Sequence, residues 1–85
     1  MKRTDVTYGQ LDKVLRSLGF TCREVKGDPP ARVYDHNETG ASITVPRFPK
    51  ADRVLAHHLV TARFMLDQFG IADPTVFAAK LQKAG

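Results

Sequence analysis

Residues 31–45 read ARVYDHNETGASITV, and this stretch decides the fold. Two runs that can form strands, Ala31 to His36 and Ala41 to Val45, flank the turn residues Asn37 to Gly40. Short runs separated by a turn that contains glycine are typical of a β-hairpin. The sequence therefore predicts two antiparallel strands near its centre.

The two faces of this hairpin are predicted to differ, because successive side chains of a strand point to opposite sides of a sheet. Ala41, Ile43 and Val45 are apolar and are expected to point inward. We expect the opposite face to stay open to solvent. It would carry the polar and aromatic side chains of both strands, which are Arg32, Tyr34, His36, Ser42 and Thr44.

Toward the start of the chain, residues 7–19 carry the signals of a helix. Thr7 and Gln10 have capping-box spacing, in which each side chain satisfies a free backbone N–H at the helix start. Asp12 and Arg16 lie four residues apart and are expected on the solvent side. Gly19 can adopt the left-handed conformation that ends a helix. Four apolar residues repeat at the spacing of one buried stripe: Leu11, Val14, Leu15 and Leu18.

A further strand is predicted before the hairpin, over residues 20–26. The turn that follows it, residues 27–30, ends in two prolines, which cannot lie inside a ladder of backbone hydrogen bonds. With the hairpin, this strand makes a three-stranded antiparallel sheet. Residues 47–55 come after the hairpin and are predicted to be a loop.

Two helices are predicted after this loop. The first runs from about Ala56 to Phe69, and its apolar residues recur at spacings of four and three. Asp73 followed by Pro74 is a typical start for the second. The residues expected to face the core are Leu55, Leu59, Ala62, Leu66 and Phe69, followed by Phe77, Ala78 and Leu81. The predicted fold class is α+β, with a helix, three strands and two helices (α-β-β-β-α-α).

Composition indicates one folded domain that spans residues 1–85. Apolar residues make up 42% of the chain and charged residues 26%, as in ordinary globular proteins. Thirteen Lys and Arg residues against nine Asp and Glu residues give a net charge of +4. This charge tolerates a polyanionic partner without identifying one.

Cys22 is the single cysteine, so no intrachain disulfide can form, and we expect it to be a small buried apolar side chain. No apolar run approaches the roughly 20 residues that a membrane span needs. Residues 1–13 lack the apolar segment of a secretory signal, and Lys2 and Arg3 are expected to form a frayed start. These features predict a soluble, cytoplasmic protein.

Five short stretches, taken in order, resemble the HicA-type toxin family, also described as YcfA-like. They are residues 11–20 (LDKVLRSLGF), 26–27 (KG), 33–34 (VY), 44–47 (TVPR) and 61–71 (TARFMLDQFGI). The resemblance covers the chain from about Thr7 to Leu81, and it rests on the order and spacing of the stretches. It implies the fold of double-stranded-RNA-binding domains.

Members of this family are commonly mRNA-cleaving toxins that a partner antitoxin holds inactive. Their catalytic histidine lies at the start of the second strand, where it can act as acid or base near neutral pH. Here residues 28–32 read DPPAR, and the expected position falls on Ala31. The resemblance therefore implies a HicA-like RNA-binding domain without the standard mRNA-interferase activity, and we lean against assigning an enzyme.

The candidate RNA-binding residues combine positive charge for phosphates with an aromatic ring for stacking. They are Lys26, Arg32, Tyr34, His36 and Arg47. No catalytic residue is assigned, and a ribonuclease that uses His36 is the third-ranked alternative. The second alternative is a protein-interaction module, whose open sheet and exposed edge would pair with an antitoxin-like partner.

The adjacent histidines His57 and His58 are not expected to bind a metal together, because a helix points neighbouring side chains about 100° apart. Val54 and Ala62, one turn on either side of His58, cannot act as ligands. We therefore expect no metal site, no cofactor and no membrane partner.

Overall fold

The computed structural model describes residues 3–84, and within them it contains two β-sheets and three helices. The elements are β1 (Arg3–Thr7), α1 (Tyr8–Ser17), β2 (Phe20–Val25), β3 (Ala31–His36), β4 (Ala41–Pro46), β5 (Arg53–Leu55), α2 (Ala56–Gln68) and α3 (Pro74–Ala84). Strands β2, β3 and β4 form a three-stranded antiparallel sheet, and β1 pairs with β5. The predicted α+β class is confirmed. Within residues 3–84, no helix is long and apolar enough to cross a membrane.

The central hairpin forms where the sequence predicted it. Strand β3 has the predicted bounds, β4 extends one residue further to Pro46, and β2 ends one residue earlier at Val25. Gly40 closes the turn with a φ of +76°, and its N–H donates to the His36 carbonyl at 2.8 Å. Glycine suits this position because it adopts positive φ without a steric penalty.

One face of the three-stranded sheet is covered by helices, and it is the face that carries Tyr34. Across β3 and β4, Tyr34 pairs with Ile43, and Arg32 and His36 share its face because they lie two residues away on either side. Ile43 is a core residue. The prediction that Arg32, Tyr34 and His36 lie on the open face is therefore wrong. The open face does carry two of the predicted side chains, Ser42 and Thr44.

The core lies between this covered face and the helices. Leu18 and Leu59 are partly buried and pack against it, whereas Phe69 is 40% exposed and does not complete the expected stripe. Cys22 is partly buried, less than expected. Ala78 is exposed and Leu55 is only partly buried, so the expectation that these two face the core is wrong for Ala78 and met in part for Leu55. The other side chains expected to face the core are buried: Leu11, Val14, Leu15, Ala41, Ile43, Val45, Ala62, Leu66, Phe77 and Leu81.

The two-stranded sheet was not predicted from the sequence. Strand β1 pairs antiparallel with β5, with Arg3 opposite Leu55 and Thr7 opposite Arg53. The predicted frayed start is thus wrong for Arg3, while Lys2 lies outside the described residues. The predicted loop at residues 47–55 is wrong for its last three residues. The antiparallel register places the start of α1, after Thr7, at the Arg53 end of this sheet and the start of α2, after Leu55, at its Arg3 end.

The helix-start signals in the sequence are confirmed. At the start of α1, the Gln10 N–H donates to Thr7 Oγ1 at 3.2 Å, and the Thr7 N–H donates to Gln10 Oε1 at 2.7 Å. At the start of α3, the Val76 N–H donates to Asp73 Oδ1 at 2.8 Å. These bonds join residues three apart in the chain, so the local sequence is sufficient to specify them.

Candidate nucleic-acid interface

Three of the predicted RNA-binding side chains, Lys26, Arg32 and Arg47, lie at one end of the three-stranded sheet; we call them the strand-end cluster. Lys26 directly follows β2, and Arg47 directly follows β4. Both flank Pro30, whose carbonyl accepts a hydrogen bond from the Arg47 N–H at 3.0 Å. The antiparallel register brings the three residues to the same sheet end, although up to 21 residues separate them in the chain.

One carboxylate, Glu24, partly neutralises the strand-end cluster. Its Oε1 lies 3.7 Å from the Nε of Arg32 and 3.5 Å from the Nε of Arg47. The side chain of Arg32 is 14% exposed and that of Arg47 is 53% exposed, so Arg47 is the more accessible guanidinium. Exposed ion pairs contribute about 0–1 kcal/mol, and an incoming phosphate can therefore replace Glu24 at low cost. Within residues 3–84, Lys26 has no ion-pair partner.

An apolar row occupies the position expected for the family's histidine. Ala31 pairs with Val25 on one side and with Pro46 on the other, and the three lie on the open face. None of these side chains can accept or donate a proton. The row can support general acid–base chemistry only through groups outside it.

Tyr34 is a core residue and is only 2% exposed. Its hydroxyl donates to Asp12 Oδ1 at 2.7 Å. The other oxygen of Asp12 lies 3.0 Å from Arg16 Nε and 3.8 Å from Lys50 Nζ. Burial, together with the Asp12 carboxylate, raises the pKa of Tyr34, so the phenol stays neutral. The expectation that Asp12 faces solvent is wrong, because this carboxylate accepts the hydrogen bond of a buried phenol.

His36 is held in a structural role. It is 8% exposed, and its ring packs on Phe20 at a centroid distance of 4.9 Å. The ring Nε2 lies 3.1 Å from the Leu18 carbonyl, and Nδ1 lies 2.9 Å from Thr39 Oγ1. Because a carbonyl only accepts, Nε2 carries a proton, and in the neutral ring Nδ1 accepts from the Thr39 hydroxyl. Both ring nitrogens are thus occupied, which argues against the use of His36 as a catalytic acid or base.

The open face carries a polar network that sequence reasoning missed. Arg23 Nε donates to Asp35 Oδ2 at 2.8 Å, and the Ser42 hydroxyl donates to Asp35 Oδ1 at 3.2 Å. The hydrogen bond from Arg23 holds the pKa of Asp35 below its ordinary value. This pairing neutralises Arg23, so the middle of the open face offers little free positive charge. Opposite charges on neighbouring strands could have indicated this network, but the sequence shows which charges are neighbours only once the strand register is known.

The two adjacent histidines lie at the start of α2. His58 Nδ1 is 2.9 Å from the Tyr8 hydroxyl oxygen, which also accepts the Leu55 N–H at 3.3 Å. The Tyr8 hydroxyl and the His58 ring therefore share a hydrogen bond. Burial, followed by the proximity of His57, lowers the pKa of His58. Within residues 3–84, no three His, Cys, Asp or Glu side chains are grouped so as to hold a metal ion.

Helix α2 also exposes apolar side chains that sequence reasoning missed. Val60 is 52% exposed and Phe64 is 60% exposed. They lie four residues apart and therefore share one helix face. The opposite face buries Ala62 and Leu66 in the core. The helix prediction was based on the core-facing positions, and Val60 and Phe64 lie between those positions in the sequence.

Comparisons with protein-family models, with curated proteins and with solved structures found no match. The resemblance to HicA-type toxins therefore stays an expectation from the sequence.

Proposed function

We propose that this domain binds RNA through phosphate contacts and does not cleave it. The observation that carries the proposal is the strand-end cluster, in which Lys26, Arg32 and Arg47 share one end of the sheet. Arginine guanidinium groups bind phosphate in a bidentate manner, and lysine adds a point charge. The resemblance to HicA-type toxins is the reason for choosing RNA, because phosphate contacts alone do not distinguish RNA from DNA.

The proposed binding depends little on base sequence. Tyr34 and His36 are buried, so the sheet offers neither ring for stacking on an RNA base. Contacts to phosphate fix the position of a nucleic acid but carry no sequence information. We therefore expect similar affinities for unrelated RNA sequences, with a strong dependence on salt concentration.

The apolar row around Ala31 supports the proposed lack of cleavage. A positioned histidine typically contributes about 10²–10⁴-fold to such a reaction through proton transfer. Arg32 and Arg47 stay protonated and are poor bases. The remaining candidate, His36, has both ring nitrogens engaged inside the protein. A site of this kind retains affinity for phosphate and lacks turnover.

The decisive experiment measures binding of the full chain to a fluorescein-labelled single-stranded RNA by anisotropy. Arg47→Gln should weaken binding, whereas Glu24→Gln should tighten it by roughly 2–5-fold, because it removes the carboxylate that competes with phosphate. Arg63→Gln is the matched control, since it removes a charge from α2 and should change the affinity little. Equal effects of Arg47→Gln and Arg63→Gln, or no effect of Glu24→Gln, would contradict the assignment of the site.

Cleavage is tested in the same preparation and in a bacterial host. We expect the labelled RNA to remain intact and the host to grow normally. Degradation that disappears in His36→Ala would make His36 catalytic despite its burial. Degradation that persists in His36→Ala would mean that the catalytic site lies elsewhere.

A second candidate function is supported by the exposed face of α2. We propose that Val60 and Phe64 dock an antitoxin-like protein, since a helix that is apolar on both faces usually has two packing partners. Phe64→Ala should raise the Kd for a small protein encoded in the adjacent reading frame by roughly 30-fold, as expected for an aromatic anchor. Val76→Ala, at another exposed apolar position that lies on α3, is the control and should have little effect. A complex that survives Phe64→Ala unchanged would eliminate this candidate.

A further inference from the structure

A second basic surface lies between α1 and α3, away from the strand-end cluster. Lys13 of α1 and Lys80 and Lys83 of α3 line one groove of about 250 Å³; we call it the lysine groove. Val14, Ser17 and Ala84 form the rest of its lining. The groove contains no acidic side chain.

These three lysines lack ion-pair partners, whereas half of the Lys and Arg residues within residues 3–84 have one. Among residues 3–84, the ion pairs involve Arg16, Arg23, Arg32, Arg47, Lys50 and Arg53, and none involves a lysine of the groove. Three like charges around one concave surface repel one another, and low-dielectric walls focus their field. A bound anion would relieve this repulsion.

The helix dipoles do not cancel this charge. Both α1 and α3 end near the groove, and the C-terminal end of a helix carries roughly −0.5 of an elementary charge. Two such ends offset about one of the three lysine charges, which leaves roughly +2. The Ser17 hydroxyl donates to the Val14 carbonyl at 2.7 Å and so is not free to donate to an anion. Recognition in the groove therefore depends on the ammonium groups.

We propose that the lysine groove binds a run of linked phosphates. Three flexible point charges suit a phosphate chain, whose charges are spaced along its length, better than a single planar carboxylate. The chain can be the backbone of RNA or a free polyphosphate, and the RNA form of the proposal rests on the proposed function. The lysine groove lies near the start of β2, and the strand-end cluster lies near the end of β2. The two surfaces are therefore roughly 17 Å apart along this strand. An RNA that touches both surfaces must be longer than three linked phosphates.

The test titrates the full chain with sodium tripolyphosphate and, separately, with single-stranded RNA, and follows backbone amide resonances by NMR. Tripolyphosphate should shift the resonances of Lys13, Lys80 and Lys83. The triple variant Lys13→Gln, Lys80→Gln, Lys83→Gln should bind tripolyphosphate roughly tenfold more weakly. The corresponding triple change to Arg keeps the charge and should bind within about twofold of the wild type. Well-dispersed spectra of both variants would establish that they are folded.

The two proposals fail in different ways. Phosphate binding by the lysine groove is overturned if tripolyphosphate binding survives the change to Gln. It is also overturned if tripolyphosphate shifts no groove resonance in the wild type. Tripolyphosphate binding at the groove without any RNA binding supports the groove and overturns the proposed function. In a third outcome, RNA binding depends on Arg47, and the change of the groove lysines to Gln alters neither RNA binding nor tripolyphosphate binding. That outcome supports the proposed function and overturns phosphate binding by the lysine groove.

Discussion

Replacing Tyr34 with Phe removes one hydroxyl and leaves the buried ring in place. The lost bond is short, 2.7 Å, and its acceptor is the carboxylate of Asp12, which is 6% exposed. Hydrogen bonds to charged groups contribute about 1.5–3 kcal/mol, and Asp12 Oδ1 would keep no other protein donor. A domain of this size has a free energy of unfolding of roughly 4–13 kcal/mol. Tyr34→Phe should therefore remove a large share of its stability.

The assay is urea unfolding followed by circular dichroism. With an m-value of about 1.5 kcal/mol/M, the midpoint should fall by roughly 1–2 M while the m-value stays constant. Tyr8→Phe is the control, because the Tyr8 hydroxyl bonds a neutral imidazole and should contribute about 0.5–1.5 kcal/mol. A loss below about 0.5 kcal/mol for Tyr34→Phe would refute the hydrogen bond to Asp12.

Three further predictions concern stability. Leu15→Ala should cost about 2–5 kcal/mol in urea unfolding, because Leu15 is fully buried in the core; a cost below about 1 kcal/mol would contradict this packing. The pKa of His58 is lowered in the folded protein, so the unfolded chain binds more protons than the folded protein as the pH falls below about 6.5. The Tm should therefore fall between pH 8 and pH 5.5, and it should fall less in His58→Asn. An identical fall in both proteins would show that His58 is not the cause. Adding EDTA should leave the Tm unchanged, because residues 3–84 present no group of metal ligands; a clear drop would reveal a bound metal.

The fold was largely predictable because its main signals are local. The capping box, the turn before Ala41 and the Asp73-Pro74 helix start each involve neighbouring residues, and each forms as expected. The β1–β5 pairing could not be predicted in the same way. Its partners lie about 50 residues apart, and Arg3–Thr7 is too polar to read as a strand by itself.

The candidate site was only partly predictable because face assignment failed on β3. Alternation placed Tyr34 and His36 with the polar residues, as their chemical type suggests. Both are buried instead, because partners distant in sequence satisfy their polar atoms: Asp12 for Tyr34, and Leu18 with Thr39 for His36. A buried polar group is tolerated when it is hydrogen-bonded, and the single sequence does not reveal such partners. Lys26, Arg32 and Arg47 lie at one sheet end because the strand ends, rather than the faces, bring them together, and their role in RNA binding stays a prediction.

The most direct test of phosphate-based RNA binding is the salt dependence of the affinity. The association constant for a single-stranded RNA would be measured at several salt concentrations, for the wild type and for the triple variant Lys26→Gln, Arg32→Gln, Arg47→Gln. Each phosphate contact adds about 0.7 to the slope of log K against log salt, so loss of three contacts should reduce the slope by roughly 2. Binding by the wild type with an unchanged slope in the variant would contradict the role of the strand-end cluster, and no binding by the wild type would contradict RNA binding altogether.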